Sequence, residues 1–366
     1  NLKKDNKDID NEIFSHSLID SNITFKKFFI SLSIFLKITI KSLIYLKVKN
    51  IFKDESTNIN FYYFMKKEWI NSSRGSHLFN AIIMTKIFDE TFSNLPKQQL
   101  GFYLYENQSW ERALIGSWKK YNHGKLIGVE HTSGYMRYWD LKFYKPHNFY
   151  RKHDNRFINN LHCVNGPLAK TLLVQSGYPH ERIIDVEALR FNYLKEKIEN
   201  VNLKRSKNNK ILLIGDIDYS TSKKLLLDIQ IINDKTKNLY EFSYRPHPGD
   251  PKREKLINFA KKLGINISKT SLELDITSND RIIIVGSSTV SIESYIMGKQ
   301  TIVYLDSNKL NLSPLNSVEK VDFVSNDYEL LKSINKNHIP LNNNKDIFWL
   351  DKSMSKWKIL LNQYLR

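Results

Sequence analysis

The alternation of apolar and polar residues is clearest between positions 281 and 305. Residues 282–285 are all apolar and β-branched, and such a run predicts a strand covered on both faces, as in a parallel sheet. Gly286 ends the run, and three hydroxyl residues follow where a helix should begin. Apolar residues at helical spacing continue to Gly298, and residues 301–305 are the next apolar run. The segment therefore predicts a strand, a tight turn, a helix and a second strand.

The rest of the chain repeats this alternation. Further strands are predicted at residues 61–64, 101–105, 126–129, 161–164, 183–186, 211–214 and 241–244. Further helices are predicted at residues 76–93, 109–120, 168–176, 223–231, 252–263 and 345–364. Strands that alternate with helices predict an α/β fold with parallel, doubly wound sheets.

The segment at residues 196–209 is charged and rich in Asn and Lys, which is typical of a linker. It divides the alternating pattern into two predicted Rossmann-like domains. The predicted organisation is an N-terminal helical segment at 1–58, a first domain at 59–200, a second domain at 207–344 and a C-terminal helix at 345–366. Between the strands of the first domain, the stretch from 132 to 157 is aromatic and irregular.

The N-terminal segment predicts an amphipathic helix. Residues 1–22 are polar and are expected to be poorly ordered at their start, whereas residues 23–52 are rich in apolar side chains. Lys26, Lys37, Lys41 and Lys47 fall on one side of that helix. The helix either rests on a membrane surface or packs on the protein, and two lysines in its middle argue against a membrane span.

The net charge limits the kinds of partner the chain can bind, and the cysteine content limits the kinds of site it can form. The 366 residues carry 56 Lys and Arg against 38 Asp and Glu, which gives a net charge of +18 and favours an anionic partner. The lysines are spread out without an arginine-rich or aromatic-interleaved block, which argues against nucleic acid. Cys163 is the single cysteine, so an internal disulfide and a cysteine-based zinc site are excluded, and a buried packing role in a reducing cytoplasm is expected.

Two turns carry candidate chemistry. Ser287, Ser288 and Thr289 after Gly286 either cap the following helix or, with its free N–H groups, bind a phosphate. Arg245 ends a strand, and His247 follows it in a turn fixed by prolines, on the usual ligand side of an open sheet. Three further candidates are Pro248 in the second turn, Glu293 one turn into the helix after the first, and Gly215 directly after the strand at 211–214. A carboxylate such as that of Glu293 suits a ribose diol because it accepts two hydrogen bonds.

These residues resemble known motifs. Glu293 to Gly298 is similar to the Glu-x-x-x-x-Gly-x-Pro segment of GT-B glycosyltransferases, whose glutamate holds the nucleotide ribose, with Gln300 in place of the proline. His247-Pro248 and Ser287-Ser288-Thr289 resemble the His-Pro and Ser-Ser/Thr motifs of bacterial sialyl- and Kdo-transferases, which contact the CMP of the donor.

The resemblance implies a metal-independent GT-B glycosyltransferase without a further cofactor. Its donor would be a nucleotide sugar, CMP-linked, and its acceptor a surface polysaccharide or lipid-linked glycan. It would work in the cytoplasm, either free or at the inner face of the plasma membrane. In this family the last helix often crosses back onto the first domain.

The catalytic base should come from the first domain, across the cleft. Residues 101–143, together with 164–166 and 186–190, look like bacterial surface-carbohydrate biosynthesis proteins. The sequence lacks the acidic pair followed by glycine that holds the base of CMP-sialyltransferases. Glu106, Glu130 and His131 follow or end strands and are the candidates. We favour Glu106, although an acidic residue there could instead compensate the charge of a helix N-terminus. Arg190 pairs with an acidic neighbour or with an anionic sugar.

Three alternatives stay open. A CDP-glycerol-type polyol-phosphate transferase has similar turns, and a nucleotide-sugar 2-epimerase also has two Rossmann domains. A carbohydrate- or membrane-binding subunit without catalytic activity could keep the same fold.

Overall fold

The computed structural model describes most of the chain. The described residues are 7–9, 12–14, 24–44, 48–53, 58–106, 108–131, 160–175, 178–200, 209–316, 318, 321–337 and 347–365. The aromatic stretch at 132–157 and Lys47, both singled out by the sequence, lie outside them. By contact density the chain forms two compact units, one of residues 1–129, 152–162 and 364–366 and one of residues 130–151 and 163–363.

The first unit is mainly helical in its N-terminal part. It begins with an antiparallel pair of short strands, β1 (Lys7–Ile9) and β2 (Glu12–Phe14). Five helices follow: α1 (Phe25–Ile44), α2 (Val48–Ile51), α3 (Tyr62–Arg74), α4 (Ser76–Asn94) and α5 (Ser109–Lys120). Helix α4 packs against α1, α3 and α5, because apolar residues recur at helical spacing on its faces.

A four-stranded sheet has the order β3-β4-β5-β6. Its strands are β3 (Leu100–Tyr105), β4 (Lys125–Glu130), β5 (Leu161–Val164) and β6 (Ile183–Asp185). Helix α6 (Pro167–Gln175) connects β5 to β6, and α7 (Leu194–Asn200) follows β6. In the first unit, Tyr103 and Leu126 of this sheet pack on Ile115 and Trp118 of α5.

A six-stranded parallel sheet lies in the second unit, with the order β12-β11-β10-β7-β8-β9. Its strands are β7 (Lys210–Ile214), β8 (Glu241–Arg245), β9 (Asn266–Ile267), β10 (Arg281–Val285), β11 (Gln300–Tyr304) and β12 (Asp322–Val324). The helices of this part are α8 (Tyr219–Thr236), α9 (Arg253–Lys262), α10 (Leu272–Ser278), α11 (Val290–Ile296), α12 (Asp327–Ile334) and α13 (Ser355–Tyr364).

The two faces of the six-stranded sheet build two separate cores. Leu212, Ile282 and Ile284 point into a core that includes residues of α6 and α11. Their neighbours Ile211 and Ile283 point the other way, into a core with residues of α8, α9 and α12. Side chains alternate between faces along a strand, so a run that is apolar throughout is buried on both sides. The predicted α/β fold with parallel, doubly wound sheets and an N-terminal amphipathic helix is confirmed.

Three local predictions are wrong. Residues 61–64 were expected to form a strand but mostly belong to helix α3, in which Tyr62 and Trp69 lie on one helical face and contact Phe52. Part of the predicted linker is helix α7, which Leu194 anchors in the core. The last helix begins at Ser355 and not at 345.

The late start of the last helix has a backbone cause. The N–H of Trp349 donates to the carbonyl of Asn165 at 3.0 Å, and the carbonyl of Trp349 accepts from the N–H of Ala188 at 3.0 Å. These bonds engage both backbone groups of Trp349 with residues far along the chain, so neither is available to a helix there. Met354, with φ +51°, then has a left-handed backbone just before the helix begins.

Candidate functional site

The candidate turns of the second unit lie at the carboxyl ends of strands in the six-stranded parallel sheet. Strands β7, β8 and β9 succeed one another on one side of the sheet, and β10 returns to the opposite side of β7. The strand order therefore reverses between β7 and β10. Open α/β sheets bind ligands at such a switch point, in the crevice beyond the carboxyl ends of the strands. Asp216 follows β7 there, and Ser287 follows β10.

Asp216 and Ser287 are bonded to each other across this switch point. The carboxylate oxygen Oδ2 of Asp216 accepts the Ser287 N–H at 2.9 Å and the Ser287 hydroxyl at 3.1 Å. Its other oxygen accepts the N–H of Ile217 at 2.6 Å. The turn predicted to bind a phosphate thus receives an anionic group, but from the protein itself.

Gly286 is required for this contact. Its φ is +60°, and a Cβ built on it would lie 2.8 Å from Oδ2 of Asp216. Thr289 stands at the N-cap of α11 and makes no side-chain capping bond, while Ser288 is buried just before it. The hydroxyl of Ser287 is directed to Asp216, so in this structure it does not cap the helix.

His247 is oriented by its own turn. Its Nδ1 accepts the N–H of Gly249 at 3.0 Å, and its carbonyl accepts the N–H of Asp250 at 3.2 Å. With Nδ1 as acceptor, the neutral ring carries its proton on Nε2, which makes that nitrogen a donor for an anion. Pro248 is exposed in the same turn. The neighbouring strand end, at Gly215, is close-packed, because a Cβ there would lie 2.5 Å from the hydroxyl of Tyr244.

Arg245 forms an ion pair with a buried acid, Asp275, that the sequence did not single out. Its guanidinium donates to Asp275 at 2.8 Å and to the carbonyl of Thr270 at 2.8 Å. Asp275 is buried and also accepts the hydroxyls of Ser268 and Thr270. Arg245 therefore fixes the end of β8 against the start of α10.

Glu293 lies on α11, only 7% exposed, and is hydrogen-bonded to a residue the sequence did not single out. The hydroxyl of Tyr193 donates to Oε2 of Glu293 at 2.8 Å. Burial raises the pKa of Glu293, and the bond from Tyr193 and the charge of Arg190 only partly offset it. Arg190 thus has an acidic neighbour. Burial, together with Glu293, likewise raises the pKa of Tyr193.

The candidate bases lie in two different compact units. In the first unit, Glu106 follows β3, and its N–H donates to Oε1 of Glu111 at 2.8 Å. Glu111 is buried and forms a capping box with Gln108 at the start of α5. The capping acid of α5 is therefore Glu111, and it shapes the turn that carries Glu106.

In the second unit, Glu130 ends β4 and is buried, and its Oε2 accepts the N–H of Asn165 at 3.3 Å. His131 follows it and is half-buried. Burial, and next the charge of Glu130, raise the pKa of the Cys163 thiol to about 12. That thiol is fully buried and is held protonated at neutral pH, which fits the predicted packing role.

Strand order was the missing signal for the residues that sequence reasoning overlooked. Asp216 follows an apolar run, but the sequence cannot show that β7 and β10 are neighbours. Asp216 and Ser287 are 71 residues apart, and Tyr193 and Glu293 are 100 apart. Among the described residues, no group of three or more His, Cys, Asp or Glu side chains is arranged to hold a metal ion.

Comparison with known proteins gives structural likenesses only. No protein-family model matches the chain, and the search of curated proteins found no match. The UDP-GlcNAc 2-epimerase of Methanocaldococcus jannaschii, in a complex with UDP-GlcNAc and UDP, matches with a TM-score of 0.51 and 19% identity, over 80% of this chain and 83% of that one. S. aureus MnaA, in a structure with UDP, matches with a TM-score of 0.52 and 12% identity, over 78% and 80%. At these identities the likeness establishes the fold, which is GT-B-like.

Proposed function

We propose that the chain is an enzyme that acts on a nucleotide sugar, and that the nucleotide binds at the switch point between β7 and β10. The observation that carries this proposal is the pair Asp216 and Ser287, which meets where the strand order of the six-stranded sheet reverses. Hydroxyl and N–H donors, an oriented histidine and a buried carboxylate all follow strands that end on this edge.

Each polar group has a role in this proposal. The donors of residues 287–289 and Nε2 of His247 would hold the phosphates, because both turns follow strands that end on the same edge of the sheet. Glu293 would accept a ribose hydroxyl, and Tyr193 would hold its carboxylate in place. Arg245 would support the His247 turn through Asp275 and would not touch the phosphate.

A UDP-sugar is the first substrate class that we propose, with 2-epimerisation as the reaction. The support is the fold shared with structures of UDP-GlcNAc 2-epimerase and of a protein with UDP. Inverting the C2 carbon of a sugar requires a base that removes its proton and an acid that returns one to the other face. Glu106, Glu130 and His131 are the candidates for these roles.

Glycosyl transfer is the second candidate. The spacing of Glu293 and Gly298, which resembles the ribose-binding segment of GT-B glycosyltransferases, favours it. A CMP-sugar donor belongs to this candidate, since the His-Pro and Ser-Ser/Thr motifs are similar to those of CMP-sugar transferases.

Ligand-induced stabilisation tests the nucleotide site. At about 100 times its Kd, a nucleotide raises the free energy of unfolding by about 2.7 kcal/mol, so thermal unfolding should shift upward with UDP and less with CMP, CDP or GDP. Glu293→Gln and His247→Ala should abolish the shift, and Glu254→Gln, at an exposed site on α9, should keep it. A shift with CMP alone would contradict the UDP assignment, and no shift with any nucleotide would contradict the site.

Proton exchange separates the two reactions. In D₂O, 2-epimerisation of UDP-GlcNAc replaces the hydrogen on C2 with deuterium, which NMR detects, whereas glycosyl transfer releases UDP only with an acceptor. Glu106→Gln should lower turnover by about 10²–10⁴-fold with unchanged nucleotide affinity, as expected for a general base. Glu130→Gln is its matched comparison and should have the smaller effect. Binding without either reaction would favour a non-catalytic subunit.

A further inference from the structure

Helix α1 has an inner face that attaches it to the first unit. Ser31 is buried, and the rings of Phe28 and Phe35 contact Phe79 of α4 edge to face, with centroids 5.9 and 5.6 Å apart. Lys27 forms an ion pair with Glu90 of α4 at 3.3 Å. The helix is therefore a packed part of the protein and its orientation is fixed.

The outer face of α1 is apolar but exposed. Phe29, Leu36 and Ile40 are 63%, 51% and 56% exposed, and Phe25 and Leu43 are exposed beside them. At 100° per residue these five side chains fall within an arc of about 60°. Contiguous apolar surface of this kind marks an interaction site, since removing exposed apolar side chains from water is favourable.

Lysines flank this outer face. Lys26, Lys37 and Lys41 are exposed and lie along one side of the apolar arc. From position 24 to 53 the sequence has seven lysines and neither Asp nor Glu, so this segment supplies 7 of the net +18 charges. An apolar stripe edged by lysines is complementary to a bilayer interface that carries negative headgroups.

A second exposed group lies at the start of α3, which packs on α1. Tyr63 and Phe64 are exposed there and Lys66 and Lys67 follow them. The ammonium group of Lys49 lies 5.7 Å from the ring centroid of Tyr63. Aromatic rings beside lysines are typical of segments that sit at the level of lipid headgroups.

We infer that the outer face of α1 binds the surface of an anionic membrane, with the helix lying along the interface. Among the described residues, no helix is long and apolar enough to cross a membrane. The inference concerns a surface of the first unit and does not depend on the proposed nucleotide site.

Vesicle flotation with the full chain tests this inference. The protein should float with phosphatidylcholine vesicles that contain phosphatidylglycerol, float much less with phosphatidylcholine alone, and be released by salt. Lys26→Gln, Lys37→Gln and Lys41→Gln together should lower the partition coefficient about 100-fold, since each lysine near an anionic surface contributes about 1 kcal/mol. Phe29→Ser, Leu36→Ser and Ile40→Ser together should also abolish flotation.

Matched variants elsewhere control for charge and hydrophobicity. Lys255→Gln, Lys261→Gln and Lys262→Gln remove three exposed charges from α9, and Leu310→Ser, Tyr328→Ser and Ile359→Ser remove three exposed apolar side chains. All should float like the parent, and circular dichroism should show that every variant is folded. Equal binding to both vesicle types, no binding, or equal loss in the control variants would overturn the inference.

A fluorescent label gives a second measurement. The single cysteine, Cys163, is 0% exposed, so a cysteine introduced by Phe29→Cys can be labelled selectively in the folded protein. An environment-sensitive dye at this position should shift to the blue with anionic vesicles, whereas a dye at Tyr328→Cys should not. Concentration-dependent dimers that Phe29→Ser disrupts, without a blue shift on vesicles, would assign the face to a second copy of the chain and overturn the membrane inference.

Discussion

The carboxylate of Asp216 accepts the N–H group of Ser287 that the sequence predicts to bind a phosphate. Two negative groups cannot share one donor pair without repulsion, so a phosphate bound at residues 287–289 would have Asp216 as its competitor. In the proposed site, Asp216 would therefore lower the affinity of this turn for an anion.

Asp216→Asn should make nucleotide binding tighter. The amide oxygen of asparagine can still accept from Ser287, but the negative charge is gone, and removing about 1 kcal/mol of repulsion corresponds to about fivefold in affinity. Titration calorimetry with UDP measures it. Asp218→Asn is the control, because Asp218 caps α8 and binds Lys309, and asparagine caps a helix equally well. Weaker binding in Asp216→Asn alone would show that Asp216 positions Ser287 for the ligand.

Glu293 should make stability fall as pH rises. Its raised pKa means that the folded state binds the proton more tightly than the unfolded state does, so stability is greatest below the ordinary carboxyl pKa and declines as pH rises through the raised value. Glu293→Gln removes this decline. Thermal unfolding between about pH 4 and pH 7 should show the variant gaining stability relative to the parent as pH increases. The exposed Glu254→Gln should follow the parent at every pH, and a parallel curve for Glu293→Gln would contradict the prediction.

At the scale of elements, the last helix depends on a buried acid. Glu187 accepts the N–H groups of Lys356 at 2.8 Å and Trp357 at 3.1 Å, which satisfies two donors in the first turn of α13. The indole of Trp357 donates to the carbonyl of Glu187 at 2.9 Å. Glu187, two residues after the end of β6, thereby fixes the start of the final helix.

Glu187→Ala should destabilise the protein by about 2–4 kcal/mol, because it leaves two helix donors without an acceptor in a buried place. Urea unfolding measures the loss. Glu181→Ala, at an exposed site close by, should change stability by less than about 0.5 kcal/mol. Equal stability of the Glu187 variant and the parent would mean that water replaces the carboxylate.

Elements could be predicted from the sequence where the local spacing of apolar residues shows which faces are buried. Residues 282–285 lie within β10 because β-branched residues buried on both faces leave few alternatives. The strand predicted at residues 61–64 is wrong because aromatic side chains favour strands locally. The packing of Tyr62 and Trp69 on Phe52 instead requires a helix. Predicted bounds of an element are wrong where a contact with a distant residue determines where the element begins, as at Trp349 before the last helix.

At the scale of the molecule, the sequence predicts the fold class but not which turns meet. Gly286 and Ser287 could be recognised as a turn after a strand. Their partner Asp216 could not, since strand order depends on contacts far apart in the chain. The positive charge of the N-terminal segment was visible as a stripe of lysines, but only the structure shows that the apolar side chains beside it are left uncovered.

The short outer strands of the six-stranded sheet also limit how readily this sheet can pair with a strand of another molecule. Strand β9 has two residues and β12 has three, so the sheet offers few open N–H and C=O groups to an incoming strand. Long, flat edges are the usual templates for edge-to-edge aggregation. Two of the inner strands, β7 and β10, are almost wholly apolar and would be hazardous if they lay at an edge. Placing them between two such small outer strands keeps these apolar strands away from the edges of the six-stranded sheet.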